Sequence, residues 1–125
     1  MARDLITVLE PTVDTTKSLA SATATQTTIS TTNNATIVGA TGVKDNSLTI
    51  IVIATTAGTV TFKAGEYPNS VQGDLAVACE AGATAIQIQR PTRFMKKDGN
   101  IDVDFTTIAG KIFAVGKHAG LEATV

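Results

Sequence analysis

Three features of this sequence predict an all-β fold, a β-sandwich of jelly-roll type with an extended N-terminal arm. Apolar residues recur at every second position through residues 47–105, glycine-centred turns separate the runs, and threonine and other β-branched residues crowd the chain. Val60, Phe62, Leu75, Val77, Cys79, Ile86, Ile88, Ile101, Val103 and Phe105 share one phase of the alternation. Successive strand side chains point to opposite faces, so this phase lines a core while Thr59, Thr61, Gln87, Gln89, Asp102 and Asp104 face water or a partner. Side chains stiff at χ1 suit a pleated surface and lose freedom in a helix, which makes composition agree with pattern.

Residues 5–10 alternate weakly before Pro11 interrupts them, and residues 12–17 read as polar connector. Leu5, Ile6, Val8 and Leu9 seek burial, and such an isolated apolar run ahead of a linker needs something to lie on. Residues 18–34 are low in complexity and offer little apolar area to offset the entropy of ordering, so they read as an arm or a modest edge strand. The division expected is therefore an arm and linker over residues 1–34 and a sandwich domain over residues 35–125.

The sandwich begins with a strand at residues 35–39, followed by a turn at 42–46. Residues 48–55 form the strongest strand, with Leu48, Ile50 and Val52 facing one way and Ile51 and Ile53 the other. A strand apolar on both faces is buried on both, in mid-sheet or at a subunit contact. Ala57 and Gly58 turn the chain into residues 59–64, expected to be its hairpin partner. Residues 65–72 are the longest irregular connection of the core and suit a Greek-key crossover. Strands over 75–80, 83–89, 93–96, 100–105 and 111–116 complete the set, with Asp98-Gly99 a strong hairpin signal because both residues tolerate positive φ. No helix of ordinary length is predicted.

A chain of 125 residues suits one domain. Its formal net charge of −1 and scattered lysines provide no field for neutralising a run of phosphates, which argues against direct nucleic-acid binding. Aromatic residues are 4% of the chain, too few for a surface built on aromatic platforms. No run approaches the ~20 apolar residues that cross a bilayer as a helix. Residues 1–4 lack the basic-then-apolar order of a signal peptide, so a soluble protein made in a cytoplasm is expected.

Candidate chemistry is sparse, and the expectation is a protein without catalytic, cofactor-binding or metal-binding residues. Asp98, Asp102 and Asp104 supply carboxylates of the kind calcium takes, yet Asp102 and Asp104 alternate with Ile101, Val103 and Phe105 as the wet face of a strand, and their spacing is not that of an EF-hand loop. Cys79 lies in an apolar phase and reads as a small buried hydrophobe. His118 stands alone in a glycine-containing tail, without a serine or cysteine motif to make a nucleophile-base pair. Asn34-Ala35-Thr36 matches a glycosylation acceptor by chance in a threonine-rich stretch. Tyr67, beside Pro68, reads as an exposed contact point or as a lid on one end of the sandwich.

Residues 59–68, 73–77, the pair Arg93-Phe94 and residues 98–105 together resemble small head decoration proteins of tailed bacteriophages, over about the last two thirds of the chain. The resemblance implies a structural protein of the virion, made in the host cytoplasm and seated on the outer surface of the capsid. It would act as a homotrimer at threefold or quasi-threefold positions, cementing the major capsid protein. On that reading Leu5, Ile6, Val8 and Leu9 belong to an arm that binds a neighbouring subunit, adding as a strand to an exposed edge. Contacts between subunits fall at Ile51 and Ile53, with Tyr67, or alternatively at Val60 and Phe62. Two other readings stay open: a tail or baseplate component, and a glycan-binding, adhesin-like sandwich, against which the absence of tryptophan counts.

Overall fold

The computed structural model describes residues 3–9, 27–38, 43, 47–66 and 71–116, and over these the chain is all-β and sandwich-like. The strands are β1 (Asp4–Leu9), β2 (Thr27–Thr28), β3 (Ala35–Val38), β4 (Leu48–Thr56), β5 (Gly58–Phe62), β6 (Leu75–Cys79), β7 (Gly82–Ile88), β8 (Ile101–Thr106) and β9 (Ala109–Val115). Hydrogen bonding links them in one path, β6-β5-β8-β3-β1-β9-β4-β7, with β2 set beside β9.

β1 is the hinge of this path. Asp4 to Thr7 pair in parallel with Ala35 to Val38 of β3, and Val8 and Leu9 then pair in parallel with Ala114 and Val115 of β9. One strand thus joins the half-sheet β6-β5-β8-β3 to the half-sheet β9-β4-β7. Ile6 and Val8 point into the core and Leu5 points out, 63% exposed, as strand alternation requires. Residues 4–9 were expected to lie on a neighbouring subunit. They lie on this chain's own β3 and β9, because those edges supply both the backbone partners and the apolar surface that Ile6 and Val8 need. Residues 10–26, the rest of the expected arm and linker, fall outside the described residues.

The core between the half-sheets is filled by the predicted phase. Ile37, Val60, Phe62, Ile101 and Val103 from one side meet Leu48, Ile50, Val52, Ile112 and Ala114 from the other, all fully enclosed. Leu75 and Val77 are only partly buried because β6 ends the path. Val60 and Phe62, the alternative subunit contact, are thus core residues of the single chain.

Two expected connections and one expected strand differ. β4 and β5 are not a hairpin: β4 already has β7 and β9 on its two edges, while β5 lies between β6 and β8. Ala57 and Gly58 therefore carry the chain from one half-sheet to the other. A Cβ on Gly58 would collide with the backbone of Thr106 and Ile108, where the chain makes a second such crossing with Thr107 at φ 67°. The stretch after β5 is not a crossover, since β5 and β6 are antiparallel neighbours. Residues 93–96 are not a strand either. Pro91–Arg93 is a 3-10 turn, which the missing proline N–H permits, and only Met95 bridges to Ile101.

The Asp98-Gly99 turn is present in a different form from a two-residue hairpin. Gly99 N–H donates to the Lys96 carbonyl (2.9 Å), Lys96 N–H donates to the Asn100 carbonyl (2.8 Å), and Gly99 alone takes positive φ, 86°. This is the three-residue hairpin loop with glycine in the left-handed position. Asp98 Oδ1 accepts from Asn100 N–H at 3.0 Å and caps it.

Candidate functional site

Two surfaces and one cluster concentrate what this fold offers to other molecules. The first surface is the outward face of the half-sheet β9-β4-β7. Ile53 is 39% exposed there, between Ala83 of β7 and Lys111 of β9, and half-buried Ile51 sits in the next row between Ala85 and Phe113. The second aliphatic phase of β4 is therefore not covered in full. An isoleucine exposed on a central strand, with the exposed Ala83 and Ala85 on its β7 side, marks an apolar strip. Of the expected subunit contacts, Ile51 and Ile53 share this face and Tyr67 lies outside the described residues.

The second surface is a cleft of about 270 Å³ between the two ends of the strand path. β6 and β7 are joined by the short turn at Glu80 and Ala81, yet neither pairs with the other. At the turn end, the Cys79 thiol interacts with the Thr84 side chain. At the other end the strands part, and the cleft opens between Leu75 and Ile88, with Phe94 beneath and Gln72, Gln87, Gln89, Arg90 and Arg93 around it. The Arg93 guanidinium stacks 4.8 Å from the Phe94 ring, which itself tilts against Phe62 of the core. Arg93 also reaches the carbonyls of Gly73 (3.4 Å) and Asp74 (3.5 Å), tying the start of β6 to the 3-10 turn. Sequence reasoning missed this cleft. Its one signal is Gln87, Gln89, Arg90 and Arg93 clustered around Pro91, and nothing local says that the edges of β6 and β7 diverge there.

The cluster is formed by the acids weighed as a cation site. Arg3 Nη1 donates to the carbonyls of Ala35 (3.0 Å) and Val103 (3.1 Å), and its Nη2 lies 2.8 Å from Asp104 Oδ1. That oxygen is enclosed and has no aligned hydrogen bond, so the guanidinium balances it by charge. Asp102 takes Lys96 Nζ at 3.4 Å and the Thr36 hydroxyl at 3.0 Å. Lys96 also stands 4.0 Å from Asp98. The protein's own cations thus occupy these carboxylates, and among the described residues no group of three or more His, Cys, Asp or Glu side chains is arranged to hold a metal ion. Asn34, the apparent glycosylation acceptor, uses its amide oxygen to accept from Phe105 N–H (2.9 Å) at φ 59°, a conformation asparagine tolerates.

Three titratable groups are perturbed. Asp74 accepts from Lys63 Nζ (2.8 Å) and from Ala64 N–H (2.6 Å), and these bonds hold its carboxyl below its ordinary value and push the Lys63 ammonium up. Burial pushes the Cys79 thiol up, consistent with an inert core cysteine. His118 lies outside the described residues. No helix among the described residues is long and apolar enough to cross a membrane.

No family model matches this chain, and no curated protein and no solved structure matches it significantly.

Proposed function

We propose that this chain is a structural cement of a tailed-phage head. It binds the outer surface of the assembled capsid as a homotrimer at threefold or quasi-threefold positions and ties neighbouring copies of the major capsid protein together. The observation that carries the proposal is the apolar strip of Ile51 and Ile53 on the outward face of β4, flanked by the exposed Ala83 and Ala85. Aliphatic apart from the neighbouring Lys111, it suits burial against a neighbouring protomer around a threefold axis. The resemblance of residues 59–68, 73–77 and 98–105 to head decoration proteins supplies the setting.

The mechanism is mechanical. Each protomer makes a modest contact with the shell, and a trimer that engages several capsid subunits at once converts weak contacts into slow dissociation through effective concentration. The contact with the shell is not assigned to Ile6 and Val8, which are committed to the chain's own core.

The strip is tested by light scattering on the purified protein and on Ile53→Asp. A trimer for the parent and a monomer with unchanged β-sheet circular dichroism for the variant are expected. A parent that is monomeric at all concentrations, or a variant that stays trimeric, overturns the assigned contact.

A further inference from the structure

The proposed trimer leaves open which part of each protomer meets the shell. Rotation about a threefold axis preserves direction along that axis, so like ends of the three protomers face the same side. The two ends of the sandwich differ. At one end, residues 63–66, 71–74 and 89–100 are tied together: the Gly65 and Glu66 N–H groups donate to the carbonyls of Arg93 and Met95 (both 3.0 Å), and Arg93 donates to the Gly73 carbonyl (3.4 Å). These segments carry five lysines and arginines against three acids, although the whole chain has a formal net charge of −1. Lys63 pairs with Asp74 and Lys96 with Asp98, while Glu66 accepts the backbone N–H of Lys97 at 2.6 Å. The exposed side chains of Arg90 and Lys97 form no ion pair with the described residues. Val71, at the same end, is 90% exposed, more than any other large apolar residue described. The turns of the opposite end, residues 55–58, 79–82 and 106–109, contain a single charged residue, Glu80.

We propose that the end carrying Val71, Arg90 and Lys97 is the one that docks on the shell, and that the surface it meets on the major capsid protein is acidic. The inference rests on the cementing role proposed above. Arg90 and Lys97 face carboxylates of the shell, which steers the encounter and sets the orientation of the trimer, and Val71 leaves water in the contact. Each group occurs three times in the trimer, so contacts that are weak singly act together. The end with Glu80 faces away from the shell.

The test is co-sedimentation of the full-length protein with expanded, undecorated capsids at about 0.1 M and about 1 M salt. The parent is expected to saturate the shells and to bind more weakly at the higher salt. Arg90→Glu combined with Lys97→Gln is expected to lower affinity about tenfold or more, while Glu80→Lys binds as the parent does. Arg90 and Lys97 are exposed, so the double variant should keep the parent's light-scattering mass and β-sheet circular dichroism. A parent that never pellets with the shells overturns the cementing role and this inference with it. A parent that pellets overturns this inference alone if the double variant binds equally well, if affinity does not change with salt, or if Glu80→Lys loses as much as the double variant.

Discussion

Arg3 shows how much one surface-adjacent side chain can do when the topology places it at a junction. It sits just before β1, and its guanidinium spans β3 through the Ala35 carbonyl and β8 through the Val103 carbonyl and the Asp104 carboxylate. Hydrogen bonds to a charged group are worth more than neutral ones, and their loss leaves an enclosed carboxylate oxygen unbalanced. Arg3→Ala should therefore lower unfolding free energy by about 1–3 kcal/mol, measured by urea denaturation; an unchanged midpoint would show that water replaces the guanidinium without cost. Asp74 makes a prediction with a pH sign. Its carboxyl is held below its ordinary value of 3.8 by Lys63 and Ala64, so its contribution is fully present above that value and is lost as pH falls through the lowered one. The stability gap between the parent and Asp74→Asn should be present at neutral pH and shrink as the solution is acidified below pH 3.8, and a gap that persists into strong acid would contradict the assignment. None of these pairings was legible in the sequence. Asp102 and Asp104 were readable as the wet face of a strand, but their partners Arg3 and Lys96 arrive from opposite ends of the topology.

At the scale of elements, the alternation of residues 47–105 carried most of the fold, because period-two burial is a local property that survives any strand order. Val60, Phe62, Ile101 and Val103 are buried as their phase required. Connectivity was less legible, since adjacency in sequence does not fix adjacency in the sheet. β4 and β5, and likewise β8 and β9, are consecutive in the chain but lie in different half-sheets. The misread segment of greatest consequence is β1. Its weak alternation, Leu5 and Thr7 against Ile6 and Val8, was visible, but only the parallel ladders to β3 and β9 reveal that the strand joins the two halves. Ile6→Ala should cost about 2–5 kcal/mol, as for other fully buried aliphatic side chains, while Leu5→Ala should stay within about 0.5 kcal/mol. A truncated chain lacking residues 1–9 should lose cooperative unfolding altogether. Equal effects of the two alanine variants, or a truncated chain that melts like the parent, would return this segment to the status of a detachable arm.

For the whole molecule, the arrangement is a packed sandwich with one half-open seam and one partly exposed aliphatic face, and Arg3, Lys63 and Lys96 are paired with Asp74, Asp98, Asp102 and Asp104. On the proposed reading the outward face of β4 packs against a neighbouring protomer around a threefold axis, and the resulting trimer presents several identical surfaces at once, which is what a cement between lattice subunits requires. The apolar strip was half legible, because Ile51 and Ile53 stood out as a second aliphatic phase; that Ile53 stays 39% exposed and Ile51 half-buried emerges only from the structure. The most direct test is cryo-electron microscopy of phage particles assembled with and without this protein. The account predicts difference density on the outside of the head at threefold and quasi-threefold positions, in threefold clusters that match the sandwich. Density confined to the tail or baseplate, or particles identical in the two preparations, would contradict it.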